Sequence, residues 1–332
     1  NEENFFPESH AVKQASRLIN EKFGGSGLGY LAHVIAMEEI SRASASVGLS
    51  YGAHSNLCVN QLRHWGSDEQ RQRYLPGLVS GELLGALAMS EAGSGSDVVS
   101  MRTTAVRDGD EYVLNGSKMW ITNAPGADVM IVYAKTDPEK KSQGITAFIV
   151  EKGSPGFSVG PELEKMGNRG SPTSEVIFED CRVPADSLLG KPGAGASIFS
   201  FVQLWERSLI LAPHLGVMQR LLDQCLAFSR ERKRAGIPVG KHQAVSHRIA
   251  DMKLRLETAR LLFYRTARQQ QDGGSDLMSA ALTKIYLSEC LAQSSLDAIA
   301  INGGEGYLTA AGIERNLRDA IGATIYSGTA DV

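Results

Sequence analysis

Glu206 stands out as a candidate for chemistry because of the residues around it. In the run Leu204-Trp205-Glu206-Arg207-Ser208-Leu209-Ile210-Leu211, a helix places Phe199, Val202, Glu206 and Leu209 along one apolar stripe. A desolvated carboxylate favours its neutral form, which suits a general base working near neutral pH. An ion pair with a neighbouring arginine, or a place at the wet edge of the stripe, accounts for the same pattern. Two further stretches carry chemical potential. The loop Ala88-Met89-Ser90-Glu91-Ala92-Gly93-Ser94-Gly95-Ser96-Asp97 concentrates small and hydroxyl residues, either to cradle a phosphate or electron-rich ring or simply as a polar surface loop. Lys118-Met119-Trp120-Ile121-Thr122-Asn123, read as a strand, sets an indole and a hydroxyl on one face, where they can cover a flat ring and bond its edge. A core tryptophan is the usual explanation for such a strand.

The elements that must position these groups change period along the chain. Residues 1–85 read as an N-terminal helical domain: Tyr30, Val34, Met37 and Ile40 repeat at helical spacing, and Ser67-Asp68-Glu69-Gln70 reads as a capping start. The glycine loop Phe23-Gly24-Gly25-Ser26-Gly27 has no strand before it and reads as a plain turn. Residues 86–190 read as a β domain. Its first feature is a hairpin through Tyr112, Leu114, the turn pair Asn115-Gly116, Met119 and Ile121, followed by strands at Val129 to Tyr133, Ile145 to Val150 and Val176 to Phe178. Residues 191–332 read as a helical bundle, with Val245, Ile249, Met252, Leu256, Ala259 and Phe263 keeping a helical rhythm among charged neighbours.

Composition excludes several functions. The 332 residues carry a net charge of -3, which points away from nucleic acid and anionic membranes as partners. Cys58, Cys181, Cys225 and Cys290 lie far apart, with neither a disulfide framework nor a zinc-ligand spacing. No apolar run approaches the roughly 20 residues that span a bilayer, and Asn1-Glu2-Glu3-Asn4 does not read as a presequence. The expected location is therefore the cytoplasm.

Five motifs in order resemble the acyl-CoA dehydrogenase family of flavoproteins. They are Met89 to Asp97, Lys118 to Asn123, Ile177-Phe178-Glu179-Asp180-Cys181-Arg182-Val183-Pro184, Asn302-Gly303-Gly304-Glu305-Gly306-Tyr307 and Arg318-Asp319-Ala320. The resemblance implies a mainly α fold: an N-terminal helical domain, a central β-barrel and a C-terminal four-helix bundle. It also implies FAD as cofactor and a homotetramer built as a dimer of dimers. By position, Met89, Ser90, Gly95 and Ser96 would contact flavin and pyrophosphate, Trp120 and Thr122 would lie against the ring, and Thr329 joins the cofactor set. Arg232, Gln243 and Gly304 match positions holding the adenosine end across a dimer interface. The implied reaction removes an α-proton from an acyl thioester while the β-hydride passes to flavin.

The departures are informative. Where many members carry the base in a Tyr-Glu-Gly-Thr loop, this chain has Tyr326-Ser327-Gly328-Thr329. Serine cannot act as the base unaided, whereas branches resembling isovaleryl-CoA and long-chain acyl-CoA dehydrogenases take a carboxylate from the position of Glu206. The expected catalytic set is thus Glu206, Arg207 beside it and the backbone N–H of Ser327, with Asp331 as a competitor past the loop. Leu204 replaces an aspartate that bonds pantetheine in members using free coenzyme A; Ala235 and Ala300 replace a usual Phe and Gln. Gly27 to Pro184 looks most like isovaleryl-CoA dehydrogenase. Trp205-Glu206-Arg207, Gln243 to Arg248 and Ile325 to Asp331 look more like the branch that oxidises prolyl or other acyl groups on a carrier protein. The expectation is a carrier-tethered acyl thioester, with coenzyme A as the alternative carrier and an electron-transfer flavoprotein or dioxygen as acceptor. Ser327 and the altered adenosine-end positions also fit a flavin-binding protein without dehydrogenase activity. Relative to the family, the glycine loop arrives early and the last helix is missing after Val332.

Overall fold

The computed structural model describes residues 19–274 and 276–331, so the readings of Asn1 to Asn4 and of Val332 lie outside the described residues. Helix α1 (Gly29–Ala43) is followed by α2 (Ala45–Gly52), a π-helical stretch at Ala53–Val59, α3 (Asn60–Trp65) and α4 (Asp68–Ser80). Tyr30, Val34 and Met37 are buried, which is the helical repeat expected of α1. At α4 the Ser67 hydroxyl accepts from the Gln70 N–H at 3.1 Å and the Gln70 side chain accepts from the Ser67 N–H at 2.9 Å, a complete capping box. The glycine loop is a turn, as read: Gly24 closes a short 3-10 segment in the left-handed conformation.

Eight strands form one sheet. They are β1 (Gly85–Ala88), β2 (Thr104–Asp108), β3 (Glu111–Thr122), β4 (Val129–Lys135), β5 (Ile145–Glu151), β6 (Phe157–Glu162), β7 (Thr173–Pro184) and β8 (Leu188–Leu189). Their order is β6-β7-β3-β2-β4-β5-β8, with β1 pairing parallel to β4. That path has two ends, which corrects the expected barrel to an open sheet. One end, β8, offers only two residues, and the other, β6, is half-buried or exposed throughout, so no ladder joins them. The core lies on the face carrying Leu114, Val132, Phe148, Val176 and Phe178.

The hairpin reading at Asn115-Gly116 is also corrected. Both residues lie inside the continuous strand β3, and the β2–β3 turn falls at Gly109 and Asp110. The Asn115-Gly116 pair marks a bulge against β7 instead. Gly116 sits at φ +140, and a Cβ there would come within 2.8 Å of the Thr103 backbone. The Asn115 amide bridges the gap, exchanging hydrogen bonds with the Asp180 carboxylate and N–H at 3.0 and 2.8 Å. The same residue types that make a tight hairpin therefore serve here to bend a long strand.

The C-terminal half contains α5 (Gly195–Leu209), α6 (Ala212–Glu231), a two-stranded ribbon β9 (Lys233–Arg234) and β10 (Ile237–Pro238), α7 (Gln243–Gln271), α8 (Leu277–Asn302), α9 (Gly304–Tyr307) and α10 (Glu314–Gly322). Helices α6, α7 and α8 pack on one another and α10 packs on α8. Met252, Leu256, Ala259 and Phe263 form the buried stripe of α7. Two half-buried ionic clusters tie the long helices. Arg248 and Arg255 meet Asp297, and Arg260 lies 2.7 Å from Glu38, which also accepts from the Tyr264 hydroxyl at 2.7 Å.

By compactness the chain divides into two units. The first takes in the described residues up to His33, Ser50–Glu164 and Ser171–Glu206; the second takes in Val34–Leu49, Lys165–Gly170 and the described residues from Arg207 onward. Among the described residues no helix is long and apolar enough to cross a membrane, and no group of three or more His, Cys, Asp or Glu side chains could hold a metal. All four cysteines are free and buried.

Candidate active site

In the first unit, the loop after β1 is fastened to β3 by a buried ion pair. The Lys118 ammonium, fully buried, lies 2.8 Å from the Glu91 carboxylate and donates to the Met89 carbonyl at 3.1 Å. Glu91 also accepts from the Arg102 N–H at 2.6 Å, the Thr103 N–H at 3.0 Å and the Thr103 hydroxyl at 2.6 Å. Burial opposes charge on Glu91, but the lysine and these donors overcome it and hold the carboxyl below the usual range. The Met119 N–H donates to the Ser90 carbonyl at 2.8 Å. Met89 and Ser90 are thereby brought against the strand that carries Trp120 and Thr122.

Trp120 is not a core residue. It is 55% exposed and sits at φ +61, a costly backbone conformation for a bulky side chain, inside the β3–β7 register shift between Lys118 and Ile121. The twist turns the indole outward while Ile121 stays buried and Thr122 is half-buried. Gly95 and Ser96 are exposed, and a Cβ at Gly95 would meet nothing within 4 Å. An outward indole beside hydroxyls and a firmly held open loop fits a flat heterocycle with a phosphate tail.

Glu206 lies in the same unit, near the end of α5. Ile198, Val202, Trp205 and Leu209 are the fully buried apolar side chains of that helix, so Trp205 holds the centre of the stripe and half-buried Glu206 borders it. Trp205 is gripped by an aromatic cluster: its ring centroid lies 4.3 Å from Phe201, 4.6 Å from His64, 5.5 Å from Trp65 and 6.2 Å from Tyr30. The Asn56 amide donates to the Trp205 carbonyl at 3.4 Å. These contacts hold the Trp205 end of α5, from which Glu206 projects. Burial raises the pKa of the Tyr133 hydroxyl and the charge of Glu206 raises it further, so the two groups are close; that hydroxyl donates to Gln61 at 2.7 Å.

In the second unit, the structure brings Arg207 to the loop Ser327 to Thr329. Ser327 and Gly328 both adopt left-handed backbone, at φ +60 and +88. A Cβ on Gly328 would lie 3.1 Å from the Arg207 guanidinium, and the buried Lys284 ammonium donates to the Gly328 carbonyl. The Ala330 N–H closes the loop on the Thr324 carbonyl at 2.9 Å. Arg232, Gln243 and Gly304 are exposed at the end of α6, the start of α7 and the start of α9.

Sequence reasoning did not single out Lys284, His64 or His214, and it placed Glu91 and Lys118 in two motifs without pairing them. Glu91, Lys118 and Lys284 are charged residues within otherwise apolar or small-residue runs, a pattern that does not by itself name a partner. His214 had no signal at all.

Profiles of the acyl-CoA dehydrogenase N-terminal, middle and C-terminal domains match residues 7–82, 86–181 and 193–332. The chain belongs to the acyl-CoA dehydrogenase family. It is an oxidoreductase acting on CH–CH bonds, and FAD is its cofactor. Mitochondrial isovaleryl-CoA dehydrogenase of Pongo abelii is 49% identical over 313 residues, 94% of this chain and 74% of that protein. The prolyl acyl carrier protein oxidase AnaB superposes with a TM-score of 0.93 at 37% identity, over 96% of this chain and 85% of that one. PigA, solved with FAD and proline, superposes with a TM-score of 0.93 at 39% identity, over 98% and 85%.

Proposed function

We propose that the protein catalyses the α,β-dehydrogenation of an acyl thioester with Glu206 as the base. The observation that carries this reading is a half-buried Glu206 bordering the packed Trp205 cluster, together with a serine at 327, where no carboxylate is available. Glu206 takes the α-proton. FAD, when bound, would accept the β-hydride, so that two C–H bonds break and one C=C bond forms. Trp120 and Thr122 would lie against the flavin ring, Met89, Ser90, Gly95, Ser96 and Thr329 would hold the cofactor, and Arg232, Gln243 and Gly304 would serve its adenosine end from a neighbouring subunit. The Ser327 N–H polarises the thioester carbonyl, on a loop whose shape Lys284 and Arg207 maintain.

The thioester we favour is a prolyl or other acyl group on a carrier protein. Leu204 supports this, since an apolar side chain there removes a polar contact to free coenzyme A. A short branched-chain acyl-CoA is the second reading, favoured by the 49% identity to an isovaleryl-CoA dehydrogenase. The test is anaerobic flavin bleaching by isovaleryl-CoA, prolyl-carrier protein and the matching pantetheine thioesters, for the parent and Glu206→Gln. Bleaching by the carrier-bound thioester alone is expected, with loss of about 10²-fold or more in rate but unchanged flavin content in the variant. Normal bleaching by Glu206→Gln overturns the assignment of the base; bleaching by isovaleryl-CoA alone overturns the carrier reading. Reoxidation by an electron-transfer flavoprotein or by dioxygen then identifies the acceptor.

A further inference from the structure

Within the second unit lies a cleft of about 380 Å³ whose charge the dehydrogenation does not use. Four guanidinium groups line it: Arg169, Arg220, Arg315 and Arg318. Two carboxylates answer them, the buried Asp319 in the lining and Glu314, 3.0 Å from Arg318. Two positive charges are left uncompensated.

The arginines are not equivalent. Arg220 is consumed by structure: it donates to the carbonyls of Arg42 and Ala43 at 2.7 and 2.9 Å and to the Asn316 side chain at 2.7 Å. Burial and then the charge of Arg315 both disfavour its protonated form, so Arg315 is near enough to repel it. Arg318 is similarly engaged, with the Met166 carbonyl at 2.9 Å and with Glu314. Arg169 uses only its Nε, donating to the Lys165 carbonyl at 2.8 Å, and its terminal nitrogens bond no described residue. Arg315 makes no hydrogen bond or ion pair to any described residue. Thus two guanidinium forks line the cleft with donors to spare.

The opposite wall adds neutral donors. Ser44, Ala45 and Ser46 line the cleft at the start of the eight-residue helix α2, whose first-turn amides have no acceptor within the helix. The Ser44 hydroxyl accepts from the Val47 N–H at 3.4 Å, capping that end, and the Ser46 hydroxyl bonds no described residue. We propose that this cleft binds a phosphate dianion, held by Arg169 and Arg315 on one side and by the Ser46 hydroxyl and the start of α2 on the other. Two uncompensated positive charges match a dianion, guanidinium forks match its paired oxygens, and the volume leaves room for a substituent on the phosphate.

The test uses the flavin-loaded enzyme, titrated with inorganic phosphate and, separately, methyl phosphate, at ionic strength held constant with chloride. The melting temperature followed by flavin fluorescence and the heat of binding are read together. Saturable binding is expected for the parent, about tenfold weaker in Arg315→Gln and in Arg169→Gln, each losing a charge-assisted donor pair. Neither variant removes a hydrogen bond within the cleft wall except the single Arg169 contact to Lys165. Binding of both anions assigns a site open to phosphate monoesters; binding of inorganic phosphate alone assigns a closed one. Absence of saturable binding, or equal affinity in the parent and both variants, overturns the proposal. None of these readouts depends on turnover, so they stand apart from the assignment of Glu206.

Discussion

Trp205 matters to Glu206 more than the apolar stripe that first drew attention to it. The stripe is real, but its fully buried members are Ile198, Val202, Trp205 and Leu209, and the carboxylate borders it. That edge position leaves the carboxylate half-buried and accessible beside a tightly packed indole. His64 and Phe201 could not be assigned to it from sequence, because ring contacts between different helices have no local signature. The same holds for His214 and His54, both buried. His54 is satisfied, accepting from the Gly85 N–H at 2.9 Å and donating to the Leu78 carbonyl at 2.9 Å, whereas neither ring nitrogen of His214 has a hydrogen-bond partner among the described residues. Burial pushes His54 from its ordinary 6.5 down to about 4, and burial followed by the charge of Lys284 pushes His214 down to about 3. Folded pKa values below the unfolded value mean that the unfolded chain binds protons the folded chain refuses. Their contribution to stability is therefore complete above about pH 6.5 and is lost as pH falls toward 4 and 3. Thermal melts across that window should show a falling midpoint, and His214→Leu should flatten the slope; an unchanged slope in that variant contradicts the sign argued here.

Among elements, the loop Ser327 to Thr329 makes the clearest case for backbone shape. Its left-handed residues lie between Arg207 and Lys284, so its path is set from both sides. Gly328→Ala places a methyl against the guanidinium at a φ that alanine resists. It should cost about 1–2 kcal/mol of stability in urea unfolding, with a larger loss of kcat/KM than of flavin content. A variant with parental stability and turnover contradicts the tight loop. Strand β3 shows how element reading can fail: Asn-Gly is the strongest local hairpin signal, yet here it bends one long strand. What overrides it is tertiary, the pairing of both flanks of β3 with β7 and the Asn115–Asp180 bridge. The α4 capping box and the α7 stripe were legible because their determinants lie within one or two turns of the same helix.

At the scale of the whole molecule, the helices leave apolar surface unburied. Leu254 and Leu261 on α7 are 62% and 71% exposed, and Leu277, Met278, Leu282 and Leu296 on α8 are also exposed. Surface of this kind on two long helices fits the dimer of dimers that the family resemblance implies, which would bury it between subunits. Light scattering coupled to size exclusion should give four times the chain mass, and Leu261→Glu should shift the protein toward smaller species with loss of flavin. A monomer that retains FAD contradicts both the assembly and the adenosine-end roles of Arg232, Gln243 and Gly304.

The sequence by itself determined the family, the succession of helical, β and helical segments, the flavin loop and the indole strand. These follow from ordered motifs and from hydrophobic period, both written within short stretches of chain. Only the tertiary structure decided that the sheet is open and that Trp120 faces outward on strained backbone. It alone showed Lys118 buried on Glu91 and four arginines lining one cleft. Each of these depends on groups far apart in the chain meeting in space, and the free energy of a buried ion pair or a strained φ is set by that meeting rather than by either residue alone.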